Sequence, residues 1–573
     1  MADWQATDVD AVTREVIYGG IRAAIQEMEV LIGRAAMSPV IRDKKDYFMG
    51  LYDADGRMIH ALTSYSGPGI VTPVLQRYDA AGIAPGDIFF YNDPYSTNGA
   101  VQHQPDVVVL TPYHWPDGQL AGFAAAFGHF EDIGGLRYGS GAMDAKDIFN
   151  EGVAYPPMRV GRDFSVDPAF MSMLMRNSRR PDYVSGDWRA LQAGCRLGVE
   201  RMLSLIRRWG PSAVAGTMSW VIEQSAVRVR RVIAENIPDG EYYAQHYADG
   251  TIVGRPKIKI SARLTKRGDD LVLDLSGSDE QVAAPLNYIA SLPVMQLLML
   301  MQLASLDQGL SANQGALTNL TELIVAPGTV VSPLFPAPLN ARATPRSGVI
   351  ACLTDLIAQA NGGRITASSP THVICGFRFE NDDRAYSETL GVGQGARPFG
   401  DGPDVIYGAA QRNYPVESLE PALPLRIEEY SIRKDTGGPG RYRGGCGVLR
   451  AVRVLADGYI SPRLGSTAMP VPGVAGGAPG GLGKVSILRA NGREEQYPGI
   501  YNEIPFYRGD LVRLESAGGG GWGNPYSRPE QEVLGDVREL FVSEEQAAEA
   551  YGVYIRDGEI DRQATGAGPR GHA

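Results

Sequence analysis

The sequence predicts an α+β protein of several domains, with a mixed α/β N-terminal half and a β-rich C-terminal half. Three observations carry that expectation. Apolar residues recur near the helical period across residues 8–38, then give way to short hydrophobic runs separated by Asp-Gly turns. From about residue 400 the texture changes to short strands punctuated by glycine pairs, such as Gly437-Gly438, Gly444-Gly445 and Gly518 to Gly521. Finally, 573 residues are too many for one compact core, so about two to four domains are expected. The changes of texture divide the chain into an α+β region (1–240), a central α/β region (241–400), a glycine-rich β region (401–525) and a mostly helical tail (526–573).

In chain order, Val9, Val12, Val16, Ile17, Ile21, Ala24, Ile25, Met28 and Ile32 form the apolar stripe of a first helix, with Asp8 or Asp10 as its N-cap. Two short runs, Tyr47 to Tyr52 and Arg57 to Ala61, flank Asp53-Ala54-Asp55-Gly56, a β-hairpin signature. A short helix falls within 66–82, and Pro85-Gly86-Asp87 turns the chain into strand Ile88 to Tyr91. Helices are expected at 165–177, 187–208 and 214–235, and strands from Gly240 to Leu275 around a Lys266-to-Asp269 turn. Two more helices, 293–304 and 347–361, follow, with Thr318 to Val331 and Pro333 to Pro345 extended between them.

The chemistry concentrates between Tyr91 and Gly135. Three of the seven histidines lie here, and two of them flank the hairpin with an aspartate three residues on: His103 with Asp106, and His129 with Asp132. Between them, the apolar runs Val107 to Pro112 and Leu120 to Phe127 flank Trp115-Pro116-Asp117-Gly118, a strong turn signal. Antiparallel partners keep a constant index sum, so folding about Asp117 sets Asp106 opposite about residue 128. Two imidazoles and two carboxylates then meet at the open end of one hairpin, a donor set suited to Zn or Mn. The plainer alternative is a polar hairpin end whose carboxylates cap neighbouring turns. Asp93 lies before Pro94 at the end of a strand. An extended conformation there points its carboxylate into a cavity above the strand or closes an Asx turn. Glu131 should face away from His129 and Asp132. His114 lies at the far end of the hairpin, and His60 and His372 have no carboxylate at metal-like spacing.

Composition excludes other classes. A formal net charge of −11 argues against nucleic acid or an anionic membrane surface as partner. The apolar run Leu292 to Leu303 is too short for a membrane span, which needs about 20 residues, and reads as a buried core helix. The acidic, polar N-terminus is no signal peptide, and Cys195, Cys352, Cys375 and Cys446 are too scattered for a metal or disulfide framework. A cytoplasmic protein with reduced thiols is expected. The glycine-dense run Gly473 to Gly483 is not followed by GKS or GKT, and neither GxSxG nor HExxH occurs. Across 425–450, Arg426, Arg433, Arg441, Arg443 and Arg450 alternate with Glu428, Glu429 and Asp435. That pattern fits a solvated ion-pair network or a polar subunit interface.

The motifs join into a resemblance. Asn92-Asp93-Pro94-Tyr95, His103-Gln104-Pro105-Asp106, the run Gly128 to Gly135, and Ile148-Phe149-Asn150-Glu151-Gly152 occur in that order. Later landmarks are Leu273 to Asn287, Tyr414 to Gly447 and Ser516 to Pro525. Across about residues 10–556 the chain resembles the B-type subunits of ATP-dependent hydantoinases. That family includes the C-terminal half of 5-oxoprolinase and the large metal-bearing subunits of acetone and acetophenone carboxylases. The resemblance implies His103, Asp106 and His129 as ligands of a divalent metal. It makes Asp132 a further ligand or the group that orients His129, and Asp132 or Asp93 the groups that manage protons. Departures bear on the substrate: Asn98 to Gln102 stand where the family commonly shows GGT before the first histidine, and Gly128 stands where a second histidine often occurs. The pocket is therefore expected to differ from that of hydantoinases.

The family divides its labour, and this chain resembles one half. ATP, with Mg, belongs to a separate A-type subunit with an actin-like nucleotide fold. That partner phosphorylates an amide, lactam or ketone oxygen, or makes carboxyphosphate from bicarbonate. The expected role is the metal-bearing B-type subunit of an ATP-dependent cyclic amide hydrolase, in a hetero-oligomer such as a dimer of AB pairs. The alternatives are a subunit of an ATP-dependent ketone carboxylase, whose acetone-specific members are longer, and a non-catalytic scaffold subunit.

Overall fold

The computed structural model describes residues 9–567 apart from 62–66, 139–140, 251–256, 372, 381–384 and 408–412. The chain forms two compact units that interleave along the sequence. The first comprises Met1–Glu235, Thr265–Leu273 and Gln281–Arg342; the second comprises Asn236–Leu264, Asp274–Glu280 and Ala343–Ala573.

The first unit is built on helix α1 (Ala11–Ala35) and a seven-stranded antiparallel sheet. Short helices α2 (Pro39–Arg42) and α3 (Thr72–Leu75) flank strands β1 (Tyr47–Asp53) and β2 (Met58–Ala61). Then come β3 (Ile88–Tyr91), β4 (Asp106–His114), β5 (Leu120–His129), β6 (Met158–Arg162) and β7 (Ser165–Val166). The sheet order is β2-β1-β5-β4-β3-β6-β7, so the site hairpin β4–β5 is central. Helices α4 (Pro168–Arg176), α5 (Pro181–Trp209), α6 (Pro211–Asn236) and α7 (Leu292–Leu303) follow.

Asp10 caps α1, its carboxylate accepting from the backbone N–H of Val12 at 3.1 Å and Thr13 at 3.0 Å. Ile17, Ile21, Ala24, Ile25, Met28 and Ile32 are buried as the stripe predicts. Val12 and Val16 do not belong to it: at about 100° per residue they lie on the opposite side of the helix, and they are 74% and 49% exposed.

Both faces of the sheet are covered. Val107, Val109, Ala124 and Ala126 pack with Met28 and Ile32 of α1 and Leu191 and Met202 of α5. Val108, Leu110, Ala125 and Phe127 pack on the other face with Leu297 and Leu300 of α7, Ala316 and Leu317. This double burial explains why β4 and β5 read as continuous apolar runs and not as alternating ones. Among the described residues, no helix is long and apolar enough to cross a membrane.

The second unit contains helix Ala343–Asn361 and two principal sheets. One orders Ala385–Leu390, Val373–Phe379, Gly458–Arg463 and Ile504–Phe506; the other orders Leu425–Ile432, Val448–Val454, Leu511–Glu515, Lys484–Leu488 and Glu494–Tyr497. The helix starts earlier than expected, so the segment to Pro345 is not wholly extended. Pro345 lies in the first turn, where a missing N–H removes no intrahelical bond.

The glycine pairs do not simply punctuate strands. They form laterally packed extended segments cross-linked by backbone hydrogen bonds, including Gly438 N–H to Gly519 O at 2.8 Å and Gly519 N–H to Gly445 O at 3.0 Å. A Cβ on Gly518 would lie 1.7 Å from Thr436 O, and one on Gly444 would lie 2.0 Å from Gly519 O. These glycines are there for close approach of backbones.

The arginine-rich stretch also departs from a solvated network. Arg450 lies 2.9 Å from Glu388 with both side chains buried, and Arg443 is buried 3.0 Å from Asp404, whereas Arg453 meets Glu428 at the surface. Cys195, Cys352, Cys375 and Cys446 are buried and unbridged.

Two expectations follow. Gly518→Ala and Gly444→Ala should each cost more than about 4 kcal/mol, as a steric clash with fixed backbone does. Gly535→Ala, in helix Glu530–Arg538 with open space around the new methyl, should stabilise by up to about 1 kcal/mol. Thermal denaturation by circular dichroism reads the difference. His60, bonded to Tyr18 Oη through Nδ1 at 3.1 Å, is pushed down from 6.5 to about 4 by burial and then by Arg22. Between those values the unfolded chain binds a proton that the folded chain does not, so stability falls as pH drops through that window. His60→Gln should flatten that part of the stability–pH curve.

Candidate metal centre

In the β4–β5 ladder Asp106 pairs with His129. The turn arithmetic had pointed to residue 128. A bulge between Tyr113 and His114 shifts the register by one. That residue matters, because partners in a ladder share a face and a slip of one sends a side chain through the sheet. Asp106 and His129 therefore emerge together, on the face that carries Val108, Leu110, Ala125 and Phe127. His103 reaches them from the loop before β4. Asp106 N–H donates to His103 O at 3.0 Å, closing a turn that returns the imidazole over the carboxylate. Asn92, the residue before Asp93, braces this loop: its amide donates to Gln104 O at 2.7 Å and Val153 O at 2.9 Å, and accepts from Tyr155 N–H at 2.6 Å.

His103 Nε2 lies 2.8 Å from Asp106 Oδ1, and the two histidine rings are 5.1 Å apart. Each of His103, Asp106 and His129 offers one ligand atom, and the three atoms lie within 4.8 Å of one another. His103 and Asp106 are 2% and 4% exposed. Two further groups complete the surroundings. Asn340 Oδ1 is 3.1 Å from His103 Nδ1, and Arg342 Nη2 is 3.1 Å from Asp106 Oδ2.

The donor set fits a divalent cation. With Nδ1–H given to Asn340 Oδ1, Nε2 turns its lone pair toward an anionic oxygen at 2.8 Å. Such a pair needs a proton or a cation between the two atoms. Burial and the Arg342 charge hold His103 below its ordinary range, against the pull of Asp106, so the charged imidazolium is disfavoured. Burial also pushes Asp106 up, but His103 and Arg342 outweigh it and hold the carboxyl well below the usual range. The centre thus has neutral imidazole and ionised carboxylate, the forms that bind metal.

The other residues singled out in the sequence have partners of their own. Asp132 is buried, and its carboxylate accepts from Arg179 N–H at 2.6 Å and Arg179 Nε at 3.1 Å, with Ser178 Oγ at 3.3 Å. It is not one of the three clustered residues. Asp93 accepts from Tyr95 N–H at 3.0 Å, an Asx turn. Glu131 accepts from Tyr138 Oη. His114 Nε2 bonds Ile83 O at 2.9 Å, and His246 faces Asp355 at 3.3 Å. His372 lies outside the described residues. Sequence reasoning missed Asn340 and Arg342. They are more than 200 residues from the side chains they touch, in a segment read only as extended, and no local spacing marks them.

The fold and centre define a class, a His-Asp-His cluster, with His103 and Asp106 buried and His129 half-buried, on the central hairpin of a twice-covered antiparallel sheet. The chain belongs to the hydantoinase B/oxoprolinase family, whose model matches residues 10–525. It is 30% identical to a protein of Pseudomonas sp. (strain NS671) named for the B component of a D-/L-hydantoinase, with 97% of each chain covered. It is 25% identical to the acetophenone carboxylase delta subunit of Aromatoleum aromaticum, covering 89% of this chain and 81% of that one. The crystal structure of an ATP-dependent caprolactamase from Pseudomonas jessenii superposes with a TM-score of 0.85 at 26% identity, covering 98% and 99% of the two chains.

His103→Ala, Asp106→Ala and His129→Ala are each expected to lower bound divalent metal at least about tenfold, measured by elemental analysis of the purified protein. Asp132→Asn should retain metal within about threefold, because its carboxylate serves Arg179.

Proposed function

We propose that this chain is the metal-bearing B-type subunit of an ATP-dependent cyclic amide hydrolase. It would act on an intermediate activated by a separate A-type subunit that uses ATP and Mg. The observation that carries the reading is the His103–Asp106–His129 cluster with Arg342 beside it. The names of the hydantoinase and caprolactamase relatives support an amide substrate, and their full-length match supports the same division into subunits.

Zn or Mn held by His103, Asp106 and His129 would supply Lewis acidity toward a carbonyl or phosphoryl oxygen. This chain's residues prepare the place. Asn340 fixes the His103 ring, and Asp106 stays ionised between an imidazole and a guanidinium. Because Arg342 balances Asp106 and imidazoles that ligate a metal are uncharged, a divalent cation would leave the centre net positive. Such a centre favours an anionic, phosphorylated intermediate over its neutral precursor. Asp93, at the loop that leads to His103, is assigned to proton handling. Asp132 is assigned to holding the chain that follows His129, since Arg179 occupies its oxygens.

Ketone carboxylation with bicarbonate is the second reading, favoured by the acetophenone carboxylase relative. Co-expression with the A-type subunit tests both. ATP turnover should rise with lactams such as caprolactam, 5-oxoproline or hydantoin in the absence of bicarbonate. A response only to ketones with bicarbonate would transfer the assignment to carboxylation. His103→Ala should lower product formation more than about 100-fold. Full turnover by that variant, with no metal in the wild type, would leave a scaffold role.

A further inference from the structure

Asn340 is carried to His103 by a segment with little regular structure of its own, which raises the question of what holds it there. The answer is a set of bonds from two loops. Ile148 N–H donates to Pro336 O at 2.8 Å, and Tyr95 Oη donates to Ala337 O at 2.6 Å. Glu151 Oε1 then accepts from two consecutive backbone groups, Leu339 N–H at 2.8 Å and Asn340 N–H at 2.7 Å. Glu151 is 4% exposed. It is held in turn by its own N–H, which bonds Ile148 O at 3.1 Å, and by the chain around it, since Val153 N–H bonds Ile133 O at 3.1 Å. The bond from Ile148 and those to Glu151 cross from residues 148–151 to residues 336–340, on the approach to the residue that touches His103.

We propose that Glu151 is a positioning residue for the metal centre. Its carboxylate fixes the backbone of Asn340, so that the Asn340 side-chain oxygen sits against His103 Nδ1. His103 is thereby held as the Nδ1–H tautomer with Nε2 directed at Asp106. The inference rests on the assignment of His103 as a ligand. A neutral imidazole has one N–H and one lone pair, and the acceptor at one nitrogen decides which nitrogen is free to ligate. Groups that orient ligand histidines in this way typically change metal affinity about 10- to 100-fold when removed. Here the control runs through two residues in series: Glu151 acts on backbone N–H groups, and Asn340 carries the effect to the ring. A glutamine at 151 would keep the accepting oxygen and lose the charge, whereas a leucine would lose both.

The test uses the full chain, stripped with chelator and titrated with Zn or Mn against a competing chelating dye. Glu151→Leu and Asn340→Leu should weaken affinity at least about tenfold, and Glu151→Gln should stay within about threefold of wild type. Proton–nitrogen-15 spectra of His103 in the zinc-loaded protein should show an Nδ1–H protected from solvent exchange in the wild type and in Glu151→Gln, and one that exchanges freely in the two leucine variants. A merely structural role would lower the melting temperature and leave that protection unchanged. If Glu151→Leu does not fold, Asn340→Leu and Asn340→Ser give the same readout. Wild-type affinity in the Asn340 variants would overturn the proposal, as would a loss in Glu151→Gln equal to that in Glu151→Leu. Failure of the wild-type chain to bind either metal would instead overturn the ligand assignment.

Discussion

The centre depends on the pairing of Asp106 with His129 at the end of the β4–β5 ladder. Each residue is the terminal residue of a strand that is otherwise almost wholly apolar. Their shared face follows from register alone, and the register is fixed by a sheet packed on both sides. A slip of one residue would send the Val107 set into the α7 side and the Val108 set into the α1–α5 side. Burial of each apolar side chain contributes about 1.5–3 kcal/mol, so the hydrophobic faces hold the polar residues to their positions far more firmly than the polar contacts could.

Charge is balanced at the same place. Asp106 would be costly to bury alone. It sits instead between His103 on one oxygen and Arg342 on the other. The guanidinium satisfies the carboxylate and also discourages protonation of the imidazole, which leaves the nitrogen lone pair available. One arginine thus sets the state of two candidate ligands. Asp132 illustrates the contrary case. It shares the spacing of a ligand, but Arg179 offers a backbone N–H and a side chain to the same carboxylate, and the carboxylate turns to them.

The second unit solves a different problem. Its glycine segments replace side-chain packing with direct packing of backbones, so the absence of Cβ atoms becomes a condition of the architecture. The buried Arg450–Glu388 pair and the Arg443 cluster lie where a sequence pattern of alternating charges would suggest open surface. A buried pair fixes geometry more surely than it adds stability, because desolvation offsets much of the attraction.

Much of the centre was legible in one dimension. His103, Asp106 and His129 stood out because two histidines with equally spaced aspartates flanked an evident hairpin, and the family resemblance separated the three from Asp132. The first helix, its Asp10 cap and the β1–β2 hairpin were equally plain, since periodicity and turn chemistry are local. What local patterns could not carry was decided by tertiary structure. The bulge at Tyr113 and His114 moved the partner of Asp106 from 128 to 129. Asp132 found its partner in Arg179, and Val12 and Val16 went to solvent because the sheet covers only one side of α1. Asn340, Arg342 and Glu151 acquired their roles from contacts across some 190 residues or more. The sequence determined which side chains could ligate; the packing of a distant segment decided which atoms of those side chains face one another.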